Sequence, residues 1–287
     1  MSLIDGRAIA ARITEQTASS VAALRERGVT PVLAVVVPNE DAGADWYVRS
    51  LQRLAARVGV DCQVHQRSEP PAPADVLARL DELSTDPAVH AIMCQTPLPN
   101  GLALAAAGSR IAVSKDVDGA NPASLGGLAA GVPGVFAPAT AAAIMEILRH
   151  ERVPIAGRRA VVVGRSNVVG KPAALLLLAE DATVTICHSR TQGLAEVCRE
   201  ADILVAAAGS PKLIGAEHVA PGAVVVDVGT NPAGDGGVVG DVDTAAVEGV
   251  ASAITPVPGG VGPVTTAQLM RQTVRAALNA SVAAETD

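Results

Sequence analysis

The stretch RAVVVGRSNVVGKPAALLLLA, residues 159–179, decides the fold. Ala160 to Val163 reads as a short buried strand, Gly164, Ser166 and Gly170 punctuate the turn after it, and residues 168–179 carry a helical pattern. Strand, tight glycine turn and helix in direct succession form the first βα unit of a dinucleotide-binding domain. In such a unit the helix N-terminus offers backbone N–H groups and a partial positive charge to a pyrophosphate. The spacing is not GxGxxG, and a glycine turn before a helix also serves folds that bind nothing there, so the turn alone leaves both readings open. A Walker A loop is rejected: five residues separate Gly164 from Gly170 where that motif has four, and Pro172 stands where Ser or Thr must hold magnesium.

The end of the next strand, Thr183 to Cys187, says more. An NAD enzyme places Asp or Glu roughly 20 residues past the turn to accept from the ribose 2′-OH. Here the sequence is His188-Ser189-Arg190-Thr191, with no acid. Ser189 and Arg190, with Arg165 from the first turn, suit a 2′-phosphate, which an acid would repel. NADP is therefore favoured over NAD, although a solvated loop arginine is the plain alternative for either Arg taken singly.

The same alternation runs outward through the chain. Upstream come a helix from Ala8 to Arg27 stopped by Gly28, a strand from Val32 to Val37, a helix over 44–57, a strand from Val60 to His65, a helix over 74–85 and a strand from Ala88 to Cys94. Residues 97–138, rich in Pro, Gly and Ala and weakly patterned, are expected to contain the loops that line a cleft, and a helix from Thr140 to His150 crosses to a second unit. Downstream are strands from Ile203 to Ala206 and Ala223 to Val228, the loop TPVPGGVGPVT, and a last helix from about Thr266 to Ala280. β-branched runs between helices of this length predict parallel sheets, hence an α/β protein of two domains. The expected division is a substrate domain over 1–138 and 266–287 and a Rossmann-like cofactor domain over 139–265, with a cleft between them.

Bulk properties narrow the function class. With 287 residues, two domains of ordinary size are expected, and a core can be built although only Trp46, Tyr47 and Phe136 are aromatic. A net charge of −7 argues against broad binding to nucleic acid or anionic membrane. The N-terminus has no apolar run behind a basic patch, and no stretch reaches the roughly 20 apolar residues of a spanning helix. Cys62, Cys94, Cys187 and Cys198 lack CxxC or zinc spacing and read as reduced core residues of a cytoplasmic protein; the histidines are scattered, so no metal site is expected.

Four segments, GRSNVVGKP, KDVDGANP, VDVGTN and TPVPGGVGPVT, lie in the order and spacing of one family. Through them nearly the whole chain resembles the methylenetetrahydrofolate dehydrogenase/cyclohydrolases. The resemblance implies folate in the cleft, NADP on the second domain and a homodimer formed through that domain. It further implies that Tyr47 stacks on the folate, that Gln95, Pro97 and Asp118 line the reacting and pterin ends, and that the loop of Pro258, Gly259, Gly260 and Gly262 closes on the substrate. On the cofactor side it implies Gly164, Arg165, Ser166, Val169, Gly170, His188, Ser189, Arg190, Gly209, Gly229 and Thr230. Each has a plainer reading: a flat ring suits a pterin but also a core, and an Asp before Gly is a routine turn residue.

The sequence also departs from that family. Its YxxxK helix here reads Tyr47-Val48-Arg49-Ser50-Leu51, so Leu51 stands at the lysine position, on the helix face that Tyr47 shares and expected to look into the cleft. QLPLP has become Gln95-Thr96-Pro97-Leu98-Pro99, the aromatic after DVDG is Ala120, and PCTP is Pro138-Ala139-Thr140-Ala141. Three functions are compatible with this: a methylenetetrahydrofolate dehydrogenase with weak or absent hydrolase activity, an NADP-dependent enzyme for another ligand, or a non-catalytic folate- or nucleotide-binding paralogue. The preserved cofactor turn argues against the third.

Overall fold

A computed structural model describes residues 1–38, 42–66, 72–234 and 236–286. In chain order its first part runs β1 (Ser2–Leu3), α1 (Gly6–Glu26), β2 (Val32–Val37), α2 (Ala42–Val58), β3 (Asp61–Gln66), α3 (Pro73–Thr85), β4 (Ala91–Cys94), α4 (Leu104–Gly108), α5 (Pro122–Ala129) and α6 (Ala139–His150). The second part runs β5 (Arg159–Val163), α7 (Gly170–Ala179), β6 (Thr183–Cys187), α8 (Leu194–Cys198), β7 (Ile203–Ala206), β8 (Val224–Asp227), β9 (Asn231–Pro232), β10 (Val238–Val239), β11 (Ala253–Ile254) and α9 (Val261–Thr286).

The chain forms two compact units, one of residues 1–10 and 140–265, the other of 11–139 and 266–287. It passes between them at three points, inside α1, α6 and α9. The division differs from the sequence-based one in its first ten residues and at Ala139. Ser2 and Leu3 pair in parallel with Ala253 and Ile254, which ties the N-terminus to the 140–265 unit through a two-residue strand too short to leave a pattern.

In the 11–139 unit β2 is the centre of a parallel sheet ordered β3-β2-β4. All six residues of β2 are buried. Side chains alternate along a strand, so Leu33, Val35 and Val37 enter a core shared with α2 and α9, while Val32, Ala34 and Val36 enter another shared with α3 and α4. Burying Leu33 and each valine contributes roughly 1.5–3 kcal/mol, which is why this strand reads as an unbroken apolar run. Residues 97–138 are not simply loop. They hold α4, a short 3-10 turn and α5, organised by the fully buried Asp116, whose carboxylate accepts from Ala120 N at 2.8 Å, Asn121 N at 2.9 Å and Ser124 Oγ at 2.5 Å.

In the other unit six parallel strands are ordered β1-β11-β8-β7-β5-β6. After β5 the chain adds β6 on one side and β7 on the other, so the strand order reverses at β5. Open α/β sheets bind ligands at the carboxyl ends of strands beside such a reversal. The last helix also starts earlier than its pattern suggested, at Val261, which places Gly262 and Pro263 in its first turn rather than in the preceding loop. Proline is tolerated there because first-turn N–H groups have no intrahelical partner. Among the described residues no helix is long and apolar enough to cross a membrane, and no group of His, Cys, Asp and Glu is arranged to hold a metal ion.

Candidate active site

In the unit built on β5, Gly164 has φ +137°, and a Cβ there would overlap the Ala207 carbonyl oxygen. A Cβ on Gly170 would overlap the Gly164 carbonyl oxygen, so both glycines are required for the turn to close. Ser166 Oγ accepts from Val169 N at 3.1 Å and Gly170 N at 3.4 Å, the first amides of α7. Arg165 and Ser166 are exposed above this turn. The end of β6 lies alongside, because Gly164 N donates to Cys187 O at 2.9 Å. The loop after β6 is pinned by His188 N to Thr191 Oγ1 at 2.9 Å and Arg190 N to His188 Nδ1 at 3.1 Å, leaving Ser189 and Arg190 exposed. Gly209, φ +65°, follows β7, and Gly229 and Thr230 follow β8. Every cofactor residue expected from the sequence therefore sits at the carboxyl ends of β5, β6, β7 and β8 or in the first turn of α7. An open, glycine-floored turn with helix amides and no carboxylate at 188–191 fits a pyrophosphate and a 2′-phosphate.

The Pro258 loop belongs to this same unit. Gly260 N donates to Pro256 O at 2.8 Å, and the loop rests on the start of α1: a Cβ on Gly6 would overlap the Gly260 carbonyl oxygen. Asp5 caps that helix, its Oδ1 accepting from Arg7 N at 2.9 Å and Ala8 N at 3.2 Å.

The remaining candidates lie in the 11–139 unit. Tyr47, near the start of α2, is half-buried against the core and hydrogen-bonds Thr266 of α9. Burial raises its pKa strongly, and the nearby Asp118 raises it further. Asp118 is itself pushed up to about 7, first by burial and then by Asp116, against a lowering hydrogen bond from the Ala139 backbone. Tyr47 and Asp118 are thus brought together. Gln95 emerges half-buried from the end of β4, its N donating to Val36 O at 2.8 Å and its Nε2 to Thr96 O at 3.1 Å, with Pro97 exposed beside it. The segment before Asp118 continues this edge, since Asp116 bridges Ile92 of β4.

Both segments of the chain match models of one family. Residues 4–118 match the tetrahydrofolate dehydrogenase/cyclohydrolase catalytic domain, and residues 138–281 match its NAD(P)-binding domain. The bifunctional protein FolD of Parafrankia sp. (strain EAN1pec) is 61% identical over 277 residues, 96% of this chain and 99% of that one. The chain belongs to the tetrahydrofolate dehydrogenase/cyclohydrolase family. Among solved structures, the Campylobacter jejuni FolD dehydrogenase/cyclohydrolase superposes with a TM-score of 0.94 at 38% identity, covering 97% of this chain and 99% of that one. The Trypanosoma brucei FolD, complexed with NADP and an inhibitor, does so with a TM-score of 0.92 at 37% identity, covering 98% of each.

Leu51 departs from the expectation that it looks into the cleft. Although one helical turn from Tyr47, it is fully buried, packed with Leu33, Val35, Met93, Val117 and Phe136. An apolar side chain at a family lysine position gains by turning inward, where an ammonium would lose its hydration. Reading the sequence alone missed Gly6, Asp227 and Asp241. Gly6 carries no motif signal; the two aspartates were visible only as acids at the end of an apolar strand, VVVDVG, and beside a glycine, VGDVD.

Proposed function

We propose that this chain is an NADP-dependent 5,10-methylenetetrahydrofolate dehydrogenase of one-carbon metabolism whose methenyltetrahydrofolate cyclohydrolase activity is weak or absent. The observation that carries the reading is the state of α2: Tyr47 is held beside Asp118, while Leu51, one turn on, is buried without a titratable proton. Tyr47 offers a flat ring for the pterin or aminobenzoyl group, Asp118 accepts from the amidine-like edge of the pterin, and Gln95 and Pro97 border the reacting end. Pro258, Gly259, Gly260 and Gly262 close over the ligand. Arg165, Ser189 and Arg190 hold the 2′-phosphate, and the turn from Gly164 through Ser166 and Val169 to Gly170 receives the pyrophosphate, with His188, Gly209, Gly229 and Thr230 along the remainder. Bound NADP supplies the hydride acceptor. The oxidation releases no proton, so the chain's contribution is alignment and exclusion of water rather than general-base catalysis.

A homodimer through the cofactor unit is supported by the open edge of its sheet, where β6 has no second neighbour among the described residues and Ile186 is 42% and Leu178 59% exposed. The unpaired, mostly buried cysteines support a cytoplasmic setting. A second reading, an NADP enzyme for a related ligand, is favoured by the concentration of sequence changes at Leu51, Thr96, Ala120 and Ala139. The deciding experiment measures methylenetetrahydrofolate oxidation with NADP and with NAD, alongside methenyl hydrolysis without cofactor. Oxidation with NADP and no enzyme-dependent hydrolysis supports the proposal; NADPH binding without folate turnover favours the second reading.

A further inference from the structure

We propose that Asp241 is a positioning residue for the cofactor, locking the loop after β7 to the loop after β8. The inference rests on the reading that Gly209, Gly229 and Thr230 border NADP. Asp241 is completely buried. Its Oδ2 accepts from Ala208 N at 2.6 Å and Gly209 N at 2.9 Å, and its Oδ1 accepts from Ser210 N at 2.9 Å. Three successive amides of a loop whose Ala208 and Gly209 are exposed thus point inward to one carboxylate. The same Oδ1 accepts from Asn231 Nδ2 at 2.9 Å, which reaches across to the chain leaving β8.

Asp241 is held in turn by Asp227, at the end of β8. Asp227 Oδ1 accepts from Asp241 N at 2.9 Å and Gly229 N at 3.0 Å, and its Oδ2 from Val242 N at 3.0 Å. A Cβ on Gly229 would overlap Asp241, and one on Gly240 would overlap the Asp227 carboxylate, so glycine at both places lets the two acids seat. β7 and β8 are adjacent parallel strands, and the clamp joins the two connections at their carboxyl ends. Hydrogen bonds to a charged acceptor are among the strongest a loop can have, and misplacing such a loop weakens whatever rests on it.

The test compares wild type with Asp241→Asn and with the milder Asn231→Ala. An asparagine keeps one accepting oxygen and loses the charge, so Asp241→Asn should raise the NADPH dissociation constant about tenfold or more, while the Michaelis constant for methylenetetrahydrofolate changes by less than about twofold. Asn231→Ala should shift NADPH binding in the same direction by less. Amide exchange of wild type supplies a measurement free of any folding defect: the Ala208, Gly209 and Ser210 amides should exchange slowly despite their exposed loop. Fast exchange there, or a folded Asp241→Asn enzyme that binds NADPH as tightly as wild type, would overturn the proposal; if Asp241→Asn does not fold, unchanged NADPH affinity in Asn231→Ala does so. Slow exchange in a wild-type protein that binds no NADPH would instead sink the cofactor reading on which the proposal rests.

Discussion

Leu51→Lys restores the family lysine in a place the fold has closed. Leu51 is 0% exposed in the core around β2, so the new ammonium has no water. Full burial lowers a lysine pKa by roughly 3–5 units from about 10.4. At pH 7 the unfolded chain keeps the proton that the folded chain mostly gives up, and at about 1.4 kcal/mol per unit this costs about 4–5 kcal/mol. The folded pKa is depressed, so the folded state binds fewer protons and the lost stability returns as pH rises toward 10. The resulting amine, titrating near neutrality, is a proton carrier, and positioned acid–base groups typically contribute about 10²–10⁴-fold. Buried in the core it is not so positioned, and loss of methenyl absorbance, followed without cofactor, should match the spontaneous rate for wild type and for Leu51→Lys alike. Leu51→Met, of similar volume and with no proton to exchange, should be stable within about 1.5 kcal/mol and show no gain. Rapid enzyme-dependent hydrolysis by wild type would refute the reasoning, because it needs no second protein to interpret.

Three further outcomes are expected. Arg165→Ala and Arg190→Ala should each reduce the NADP over NAD preference, losing a charge-assisted contact of about 1.5–3 kcal/mol; an unchanged ratio in both would remove the 2′-phosphate assignment. Asp118 has a raised pKa, so the folded state keeps a proton the unfolded state has lost between 3.8 and about 7, and stability should fall as pH rises through that window. Folate affinity should rise over the same range as the carboxylate forms, and Asp118→Asn should flatten both curves while leaving NADPH affinity intact; equal slopes in the variant would assign them elsewhere. Gly6→Ala forces a methyl against the Gly260 carbonyl and should cost about 1–3 kcal/mol while raising the Michaelis constant for folate, which steady-state kinetics and thermal melts check together.

What was legible in the sequence was whatever local periodicity encodes. β2 reads as a strand because both its faces are buried, and the turn from Gly164 to Gly170 reads as a turn because two backbones approach there too closely for any side chain. The segment 97–138 did not read, since its short helices depend on one buried carboxylate, Asp116, rather than on an apolar stripe. The pairing of Ser2 with Ala253 and the clamp of Asp227 and Asp241 were hidden for the same reason: each joins residues distant in sequence or bound through backbone amides, which have no side-chain signature. Spacing put Leu51 on the face of Tyr47, yet a shared face does not fix depth, and the apolar residue took the deeper place.

A carboxyl group with a pKa near 7 is also what a hydrolase wants in a base, so Asp118 is the group most able to stand in for the missing lysine. On the proposed function it does not. Asp118 is raised by burial and by the like charge of Asp116, and it is eased by the Ala139 amide; its neighbour Tyr47 is itself too weak an acid to pass a proton on near neutrality. In the proposed complex the pterin edge would donate to ionised Asp118 and commit it to the ligand at the end remote from the reacting carbon, and Gln95, proposed to border that carbon, takes no proton at neutral pH. In the proposed oxidation hydride loss leaves a delocalised cation, and the buried Leu51 brings no charge to repel it. On the proposed function, leucine in place of the proton carrier leaves the oxidation unhindered while hydrolysis falls to the spontaneous rate, and methenyl decay measured with and without enzyme decides whether the two half-reactions are separated in this chain.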